Sequence, residues 1–366
     1  MTAPLYVEVF PLLVPKLTGV GRFAARLLQK LSAWVPLCLT TFVDRRTARV
    51  HHMRMSEGQQ IAVDVGALCD EGDDLNAWTD RLFRLPRRPF DASVARRHTG
   101  LYLWRRPDER RFRRELGVFY DFTPLIVPWS HTPLLCASFQ RTVEAARFCD
   151  KVLAISHSTR ADAAWLSPVP QDDVVVAYPG PSQCLTRHAH AGAVARRKNV
   201  GLIVGTREPR KNGDFLIEWF LKSQRLDDDF ELWWAGPRGW LWDAPNVERG
   251  NPRLQRVRFL GMVSDARLCE LYQQATFTVY PSLYEGFGFP VLDSLLHGAP
   301  VLCSYNSSLV ELESPGVFYF DPRDTATLDA AFGELASAGQ IAIDDADLRR
   351  RFCWDTLART VLWLAA

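Results

Sequence analysis

The chain has 366 residues, 47% hydrophobic and 23% charged, with a formal net charge of +2. That length suits two domains with separate cores, and that balance excludes a disordered or fibrous chain. No apolar run approaches the roughly 20 residues of a membrane helix, and residues 1–30 lack the apolar core and cleavage site of a signal peptide, so a cytoplasmic location is expected.

In chain order, "LYVEVF" reads as a first strand. "GVGRFAARLLQKL" follows, with Phe23, Leu27, Leu28 and Leu31 at helical spacing behind Gly19 and Gly21. Gly19-Val-Gly21-Arg-Phe-Ala24 has the spacing of a dinucleotide turn, and Asp44 ends the next apolar run, "PLCLTTFVD". The Pro-bracketed "PLLVPKLT" between strand and glycines is too long a detour for a turn that must hug a pyrophosphate, so an NAD-linked oxidoreductase ranks last among the readings. What the glycines do offer is close backbone approach, and the helix start behind them favours an anion.

Twelve arginines crowd Arg81 to Arg114, interleaved with Tyr102, Trp104 and Phe112. An anionic membrane surface or a pyrophosphate-linked acceptor is one partner for such a patch, and a solvated face partly neutralised by its own acids is the alternative. No nucleic-acid motif accompanies it. "GVFYDF", "KVLAIS" and "VVVAYP" complete a first αβ series, and residues 180–199 read as a linker. A second series begins with "VGLIVG", "FELWWAG", "VRFLG", "FTVYPS" and "APVLCS", and an amphipathic tail helix closes the chain. This alternation predicts parallel sheets flanked by helices in two doubly wound domains, with ligands beyond the carboxyl ends of the strands. Eight scattered cysteines without a C-x-x-C pair read as buried thiols and give no zinc pattern.

Residues 277–304, "FTVYPSLYEGFGFPVLDSLLHGAPVLCS", concentrate the chemistry. A strand ends at Ser282, a glycine-punctuated loop carries Glu285, Pro290 suits a first helical turn, and Gly298 suits its end. Gly286 and Gly288 permit close approach, the helix start supplies donors for phosphate or sugar oxygens, and Glu285 accepts from hydroxyls. Asp293 lies one or two turns in, within reach of the same ligand. Ser308 and Glu311 have the S-x-x-E spacing of a capping box.

This segment resembles the E-x7-E region of glycosyltransferase family 4, whose members are retaining enzymes of GT-B fold that use nucleotide sugars. "GTREPRKNGDFLIEWF", "FLGMVSDARLCELYQQATFTVYPS", "SYNSSLVEL", "VFYFDPRD" and "FCWDTLA" resemble its further segments in order, as do "TGVGRFAARLLQKL", "YDFTPLIVP" and "KVLAISHSTRADA". The resemblance implies an α/β, GT-B chain with two Rossmann-like domains facing an interdomain cleft and a C-terminal helix packing back toward the N-terminal domain. On this reading residues 1–185 bind acceptor, 198–345 bind nucleotide sugar, and 346–366 form the crossover helix.

The resemblance also implies roles. Lys211 holds the donor diphosphate and stabilises the leaving group, Glu285 grips sugar hydroxyls, and Asp121 completes the catalytic set. Donor contacts come from Gly19, Gly21, Thr206, Arg210, Lys211, Glu285, Gly286, Phe287, Gly288 and Asp293. Three positions depart from the family pattern. The arginine expected five positions before Lys211 is Thr206, with Arg207 or, preferably, Arg210 as substitute. The second acidic position is Asp293, one methylene short. The family's cleft histidine is replaced by Tyr120, with His131 downstream as another acceptor-side candidate.

The implied function is retaining transfer of a hexose, mannose from a GDP-sugar being the favoured donor, to a glycan or lipid-linked acceptor in polysaccharide or O-antigen-type synthesis, without a metal or other cofactor. The enzyme would work in the cytoplasm or peripherally on the inner face of the cytoplasmic membrane. A degenerate GT-B module that binds nucleotide or scaffolds an active transferase is the alternative, motivated by the three departures.

Overall fold

The computed structural model describes residues 3–14, 17–67, 74–182, 199–241 and 251–366. The chain divides into two compact units, Met1–Phe122 with Ala137–Gly180 and Phe352–Ala366, and Thr123–Cys136 with Pro181–Arg351. The linker read at residues 180–199 lies mostly outside the described residues.

Among the described residues the first unit holds eight strands: β1 (Leu5–Glu8), β2 (Leu37–Thr40), β3 (Gln59–Val63), β4 (Arg87–Pro89), β5 (Thr99–Tyr102), β6 (Arg114–Phe119), β7 (Lys151–Ala154) and β8 (Val174–Val176). Their order is β4-β3-β2-β1-β5-β6-β7-β8. The pairs from β2 through β8 are parallel, but β3 runs antiparallel to both β2 and β4, which departs from the expected all-parallel sheet. β1 and β2 are buried on both faces, as strands covered by helices must be.

The strand order reverses between β1 and β5, and there Glu8, at the end of β1, accepts the backbone amides of Phe10, Trp104 and Arg105. One buried carboxylate thus ties together the two loops that leave the switch point. The Gly19–Ser32 helix follows, capped by Thr18, whose hydroxyl accepts the Gly21 amide. Asp44, read as the end of a strand, instead caps the short Arg45–Val50 helix through the Thr47 amide. The Trp354–Ala365 helix lies on the Gly19–Ser32 helix, with Trp354 edge-on to Phe23 and Asp355 paired to Lys30. The C-terminal helix therefore belongs to the N-terminal unit. The helix before it, Asp345–Arg351, belongs to the second unit, where the Arg351 guanidinium donates to the Glu311 and Glu313 carbonyls.

The second unit holds β9 (Val200–Val204), β10 (Glu231–Ala235), β11 (Val257–Gly261), β12 (Phe277–Tyr280), β13 (Val301–Ser304) and β14 (Val317–Phe320). They form a fully parallel sheet in the order β11-β10-β9-β12-β13-β14. Trp219, Phe220, Trp234, Phe277, Leu302 and Phe320 build a core on one face. The order reverses between β9 and β12, so the loops after these two strands face a shared crevice, the place where open parallel sheets bind ligands. Of the described cysteines, Cys38, Cys136, Cys149, Cys303 and Cys353 are free, whereas Cys269 is disulfide-bonded, against the expectation of thiols throughout.

Candidate active site

The crevice at the β9/β12 switch point gathers the charged residues. β9 ends at Val204, and the next residue is Gly205, whose φ of 147° suits glycine and where an added Cβ would stand 3.1 Å from Lys211 Cε. The missing side chain leaves the lane along which the Lys211 stem runs. The 3-10 turn Pro209–Lys211 and the left-handed Asn212 (φ 57°) then aim Lys211 inward before the Gly213–Lys222 helix begins.

Lys211 Nζ donates to Glu285 Oε1 and to the Tyr280 hydroxyl, both at 2.6 Å. Arg210 Nη1 reaches the same Glu285 oxygen at 2.6 Å and donates to the Tyr284 carbonyl at 2.8 Å, while Nη2 lies 2.5 Å from Glu208 Oε1. Lys211, Glu285 and Glu208 are all buried. Two cations and two carboxylates therefore offset one another in a largely buried crevice, where each hydrogen bond to a charge is worth more than in water. Burial alone would push the Glu285 carboxyl up, but Arg210 and Lys211 outweigh it and hold it at about 2. Burial draws the Lys211 ammonium below its ordinary value, with Glu285 pulling the other way. The Arg210 side chain, 13% exposed, is thus a half-buried member of the cluster rather than a surface ion-pair partner. Arg207 lies over the Phe259 ring at 4.7 Å instead. Thr206 stands beside Gly239, where its methyl would meet an added Cβ.

The loop after β12 is stitched from below. The Glu285 amide donates to Ser307 Oγ at 3.0 Å, and the Ser308 hydroxyl lies 2.8 Å from the Glu285 carbonyl and 2.9 Å from that of Phe287. The capping-box reading of Ser308 and Glu311 is therefore corrected: Ser307–Leu312 is a 3-10 turn without a side-chain cap, and Ser308 holds the acidic loop. Gly288 has φ 116° and precedes the Phe289–Leu296 helix, with Pro290 in its first turn. An added Cβ at Gly288 would come within 2.8 Å of the Leu309 and Leu312 side-chain ends, which would have to shift, and the φ strains any other residue. Gly286 and Phe287 are buried in the same loop, Phe287 edge-on to Phe289. Asp293, 3% exposed, accepts the Ser182 amide at 2.8 Å, so its carboxylate already orders backbone.

The remaining candidates fall elsewhere. Gly19, Gly21, Tyr120 and Asp121 belong to the first unit. Gly19 has open space around it, but an added Cβ at Gly21 would lie 2.9 Å from the Pro11 carbonyl, which gives Gly21 a packing task within its own unit. Tyr120 is buried between Phe23 and Trp104, and its hydroxyl finds no hydrogen-bond partner among the described residues. Burial, and then the Glu8 charge, push that phenol well above its ordinary value. Asp121 is half-buried in the loop after β6. His131 falls in the second unit, buried under Trp240 at 6.0 Å. Sequence reasoning missed Gly205, Glu208, Tyr280 and Ser307, and misread Ser308. Of the four missed, only Glu208 had a local signal, two positions before Arg210.

Residues 198–338 match the family described as Glycosyl transferases group 1. Over 384 aligned positions the chain is 26% identical to O-antigen chain mannosyltransferase B of Escherichia coli, covering 93% of each protein. It is 24% identical to O-antigen chain mannosyltransferase RfbU of Salmonella typhimurium, across 69% of this chain and 70% of that one. Among solved structures, Anabaena HepE in complex with UDP superposes with a TM-score of 0.60 at 15% identity over 99% of both chains, a likeness that establishes the fold. Residues 198–338 thus carry a group 1 glycosyl transferase domain, the similarity to O-antigen mannosyltransferases extends along nearly the whole chain, and the two-sheet fold is that of GT-B glycosyltransferases.

Proposed function

We propose that the chain transfers a mannosyl residue from GDP-mannose, with retention of configuration, to a growing O-antigen-type polysaccharide. The observation that carries the chemistry is the buried convergence of Lys211 and Arg210 on Glu285 at the sheet's switch point. The sugar is suggested by the similarity to the O-antigen chain mannosyltransferase of E. coli, which covers 93% of this chain.

In this reading the donor diphosphate takes the place of part of the Glu285 interaction with Lys211 and Arg210. As the bond between the anomeric carbon and the phosphate oxygen breaks, negative charge grows on the diphosphate, and the two cations are already oriented toward it. The acceptor oxygen attacks from the face the phosphate is leaving, forms the new glycosidic bond, and passes its proton to a phosphate oxygen. Glu285, released from its cations, accepts hydroxyl hydrogens of the transferred sugar. Asp293 serves the ribose and Asp121 and Tyr120 the acceptor side. The two cations supply the charge a metal would otherwise bring, so we expect chelators to leave turnover unchanged. Nucleotide release by the purified protein with GDP-mannose, lost in Lys211→Ala, tests this. Nucleotide binding without turnover on any donor would favour the non-catalytic module.

Membrane attachment is a further part of the reading. No described helix is long and apolar enough to cross a membrane. Arg106 donates to the Val118 and Thr142 carbonyls and Arg110 forks onto Asp150, so these two serve the fold. Arg84, Arg87, Arg88, Arg96 and Arg97 are exposed and form the part of the segment available to an anionic surface. Charge reversal at Arg87, Arg88, Arg96 and Arg97 should abolish salt-sensitive cosedimentation with phosphatidylserine vesicles, and unchanged sedimentation would refute the attachment.

A further inference from the structure

Beside the charged cluster lies a cavity of about 1010 Å³, lined within the second unit by aromatic faces rather than charges. Trp129, Tyr284, Tyr305, Tyr319 and Phe320 line it, and the charged side chains on its wall are one acid, Asp321, and one base, Arg323. It shares walls with the donor cluster. Tyr284 directly precedes Glu285, and Asn212, next to Lys211, donates to the Pro322 carbonyl at 2.7 Å. Asn306, also on the wall, donates to the Ser282 carbonyl at 3.0 Å and lies 3.0 Å from the Ser307 hydroxyl that receives the Glu285 amide.

Two features of this cavity have no folding rationale. Trp129 is 59% exposed and Tyr305 68% exposed, although both are large rings at the rim of one cavity. Tyr305 is held in place all the same, edge-on to Tyr319 at 5.4 Å, and the Tyr319 hydroxyl reaches back to the Leu309 carbonyl. Rigid, exposed aromatic faces around a pocket whose charges balance suit a neutral ligand with one apolar face and many hydroxyls. A phosphate or a phospholipid headgroup would call for an excess of cations that this wall lacks. The volume is at the upper end of the roughly 300–1,000 Å³ usual for small-ligand pockets, room for more than one sugar ring.

We infer that this cavity is an oligosaccharide subsite that seats the acceptor glycan, with Trp129 and Tyr305 stacking on its rings and Asn306, Asp321 and Arg323 taking its hydroxyls. The inference rests on the transferase reading above and adds to it where the acceptor chain lies. Its position next to Glu285 brings the acceptor's terminal ring toward the sugar being transferred, and selects for an acceptor of several residues over a monosaccharide.

The test titrates α-linked mannotriose, and maltotriose in parallel, into the full-length protein by calorimetry. Wild type should bind mannotriose, Trp129→Ala and Tyr305→Ala should each weaken it roughly tenfold or more, and Tyr305→Phe, which keeps the ring, should retain it. Stabilisation by GDP should be equal in all four proteins. Equal trisaccharide affinity in the alanine variants, or no trisaccharide binding by wild type, would overturn the subsite. Binding of maltotriose alone with the same mutational pattern would keep the subsite and sink the mannose assignment. Loss of GDP stabilisation in wild type would strike at the transferase reading without touching the trisaccharide result.

Discussion

Replacing Lys211 by Met keeps the stem and removes the charge, and the structure sets what that costs. Two hydrogen bonds vanish, to Glu285 and to the Tyr280 hydroxyl, each at 2.6 Å in a crevice where the Lys211 and Glu285 side chains are both 11% exposed. Breaking a buried ion pair outright costs about 3–5 kcal/mol. Here Arg210 stays on the same Glu285 oxygen, so the carboxylate is not orphaned, and we expect the loss of about one charge-assisted hydrogen bond, ~1.5–3 kcal/mol. Glu285→Gln should cost more, about 3–5 kcal/mol, because it leaves two cations facing Glu208 alone. The double variant should then fall short of the sum by about 1.5–3 kcal/mol. Urea denaturation followed by tryptophan fluorescence reads this directly, since Trp219 and Trp234 lie in the core of the same unit. A coupling below about 0.5 kcal/mol, the limit for independent sites, would mean that the pair contributes no mutual stabilisation and would refute the reasoning.

Three other outcomes follow from the same loop. Ser308→Ala leaves two buried carbonyls without their hydroxyl, so stability should fall by about 1–3 kcal/mol and KM for the donor should rise, as denaturation and initial-rate kinetics would show. Gly288→Ala combines a φ of 116° with contacts at 2.8 Å, and a loss of at least about 1–3 kcal/mol is expected in the same denaturation assay. Glu285 is held at about 2 against an ordinary 4.5, so its contribution is complete above pH 4.5 and disappears as pH falls toward 2. The stability difference between wild type and Glu285→Gln should shrink over that window, and a difference that grows on acidification would contradict the assignment.

How much could be read from sequence depended on the range of the signal. Strands β9, β10, β12 and β13 are continuous apolar runs, and Pro290 and Gly298 punctuate their helix locally, so this half was visible residue by residue. Glu285 was legible from its glycine-punctuated loop at a strand end and Lys211 only as a member of a family-like pattern; that they meet depends on the switch between β9 and β12, a tertiary fact. The antiparallel β3 was missed because "QQIAV" is short and opens on two glutamines, and β4 because "RRP" reads as part of a charge run. Ser308 misled because an S-x-x-E spacing looks the same whether the hydroxyl caps its own turn or reaches a loop 23 positions back. Gly205 gave no sign of its task, which is to make room for a side chain six residues later. The Arg81 to Arg114 run concealed two kinds of arginine, since nothing local distinguishes Arg110, paired to Asp150, from the exposed Arg87.

The measurement that bears most directly on the central claim is transfer itself, with GDP-mannose, UDP-glucose and UDP-galactose offered separately alongside α-linked mannotriose, and the product's anomeric configuration read by proton NMR. We predict a tetrasaccharide from GDP-mannose alone, with an α-linkage that retains the donor's configuration and with chelator present throughout. A product formed only from a UDP-sugar, or a β-linkage from GDP-mannose, would contradict the account.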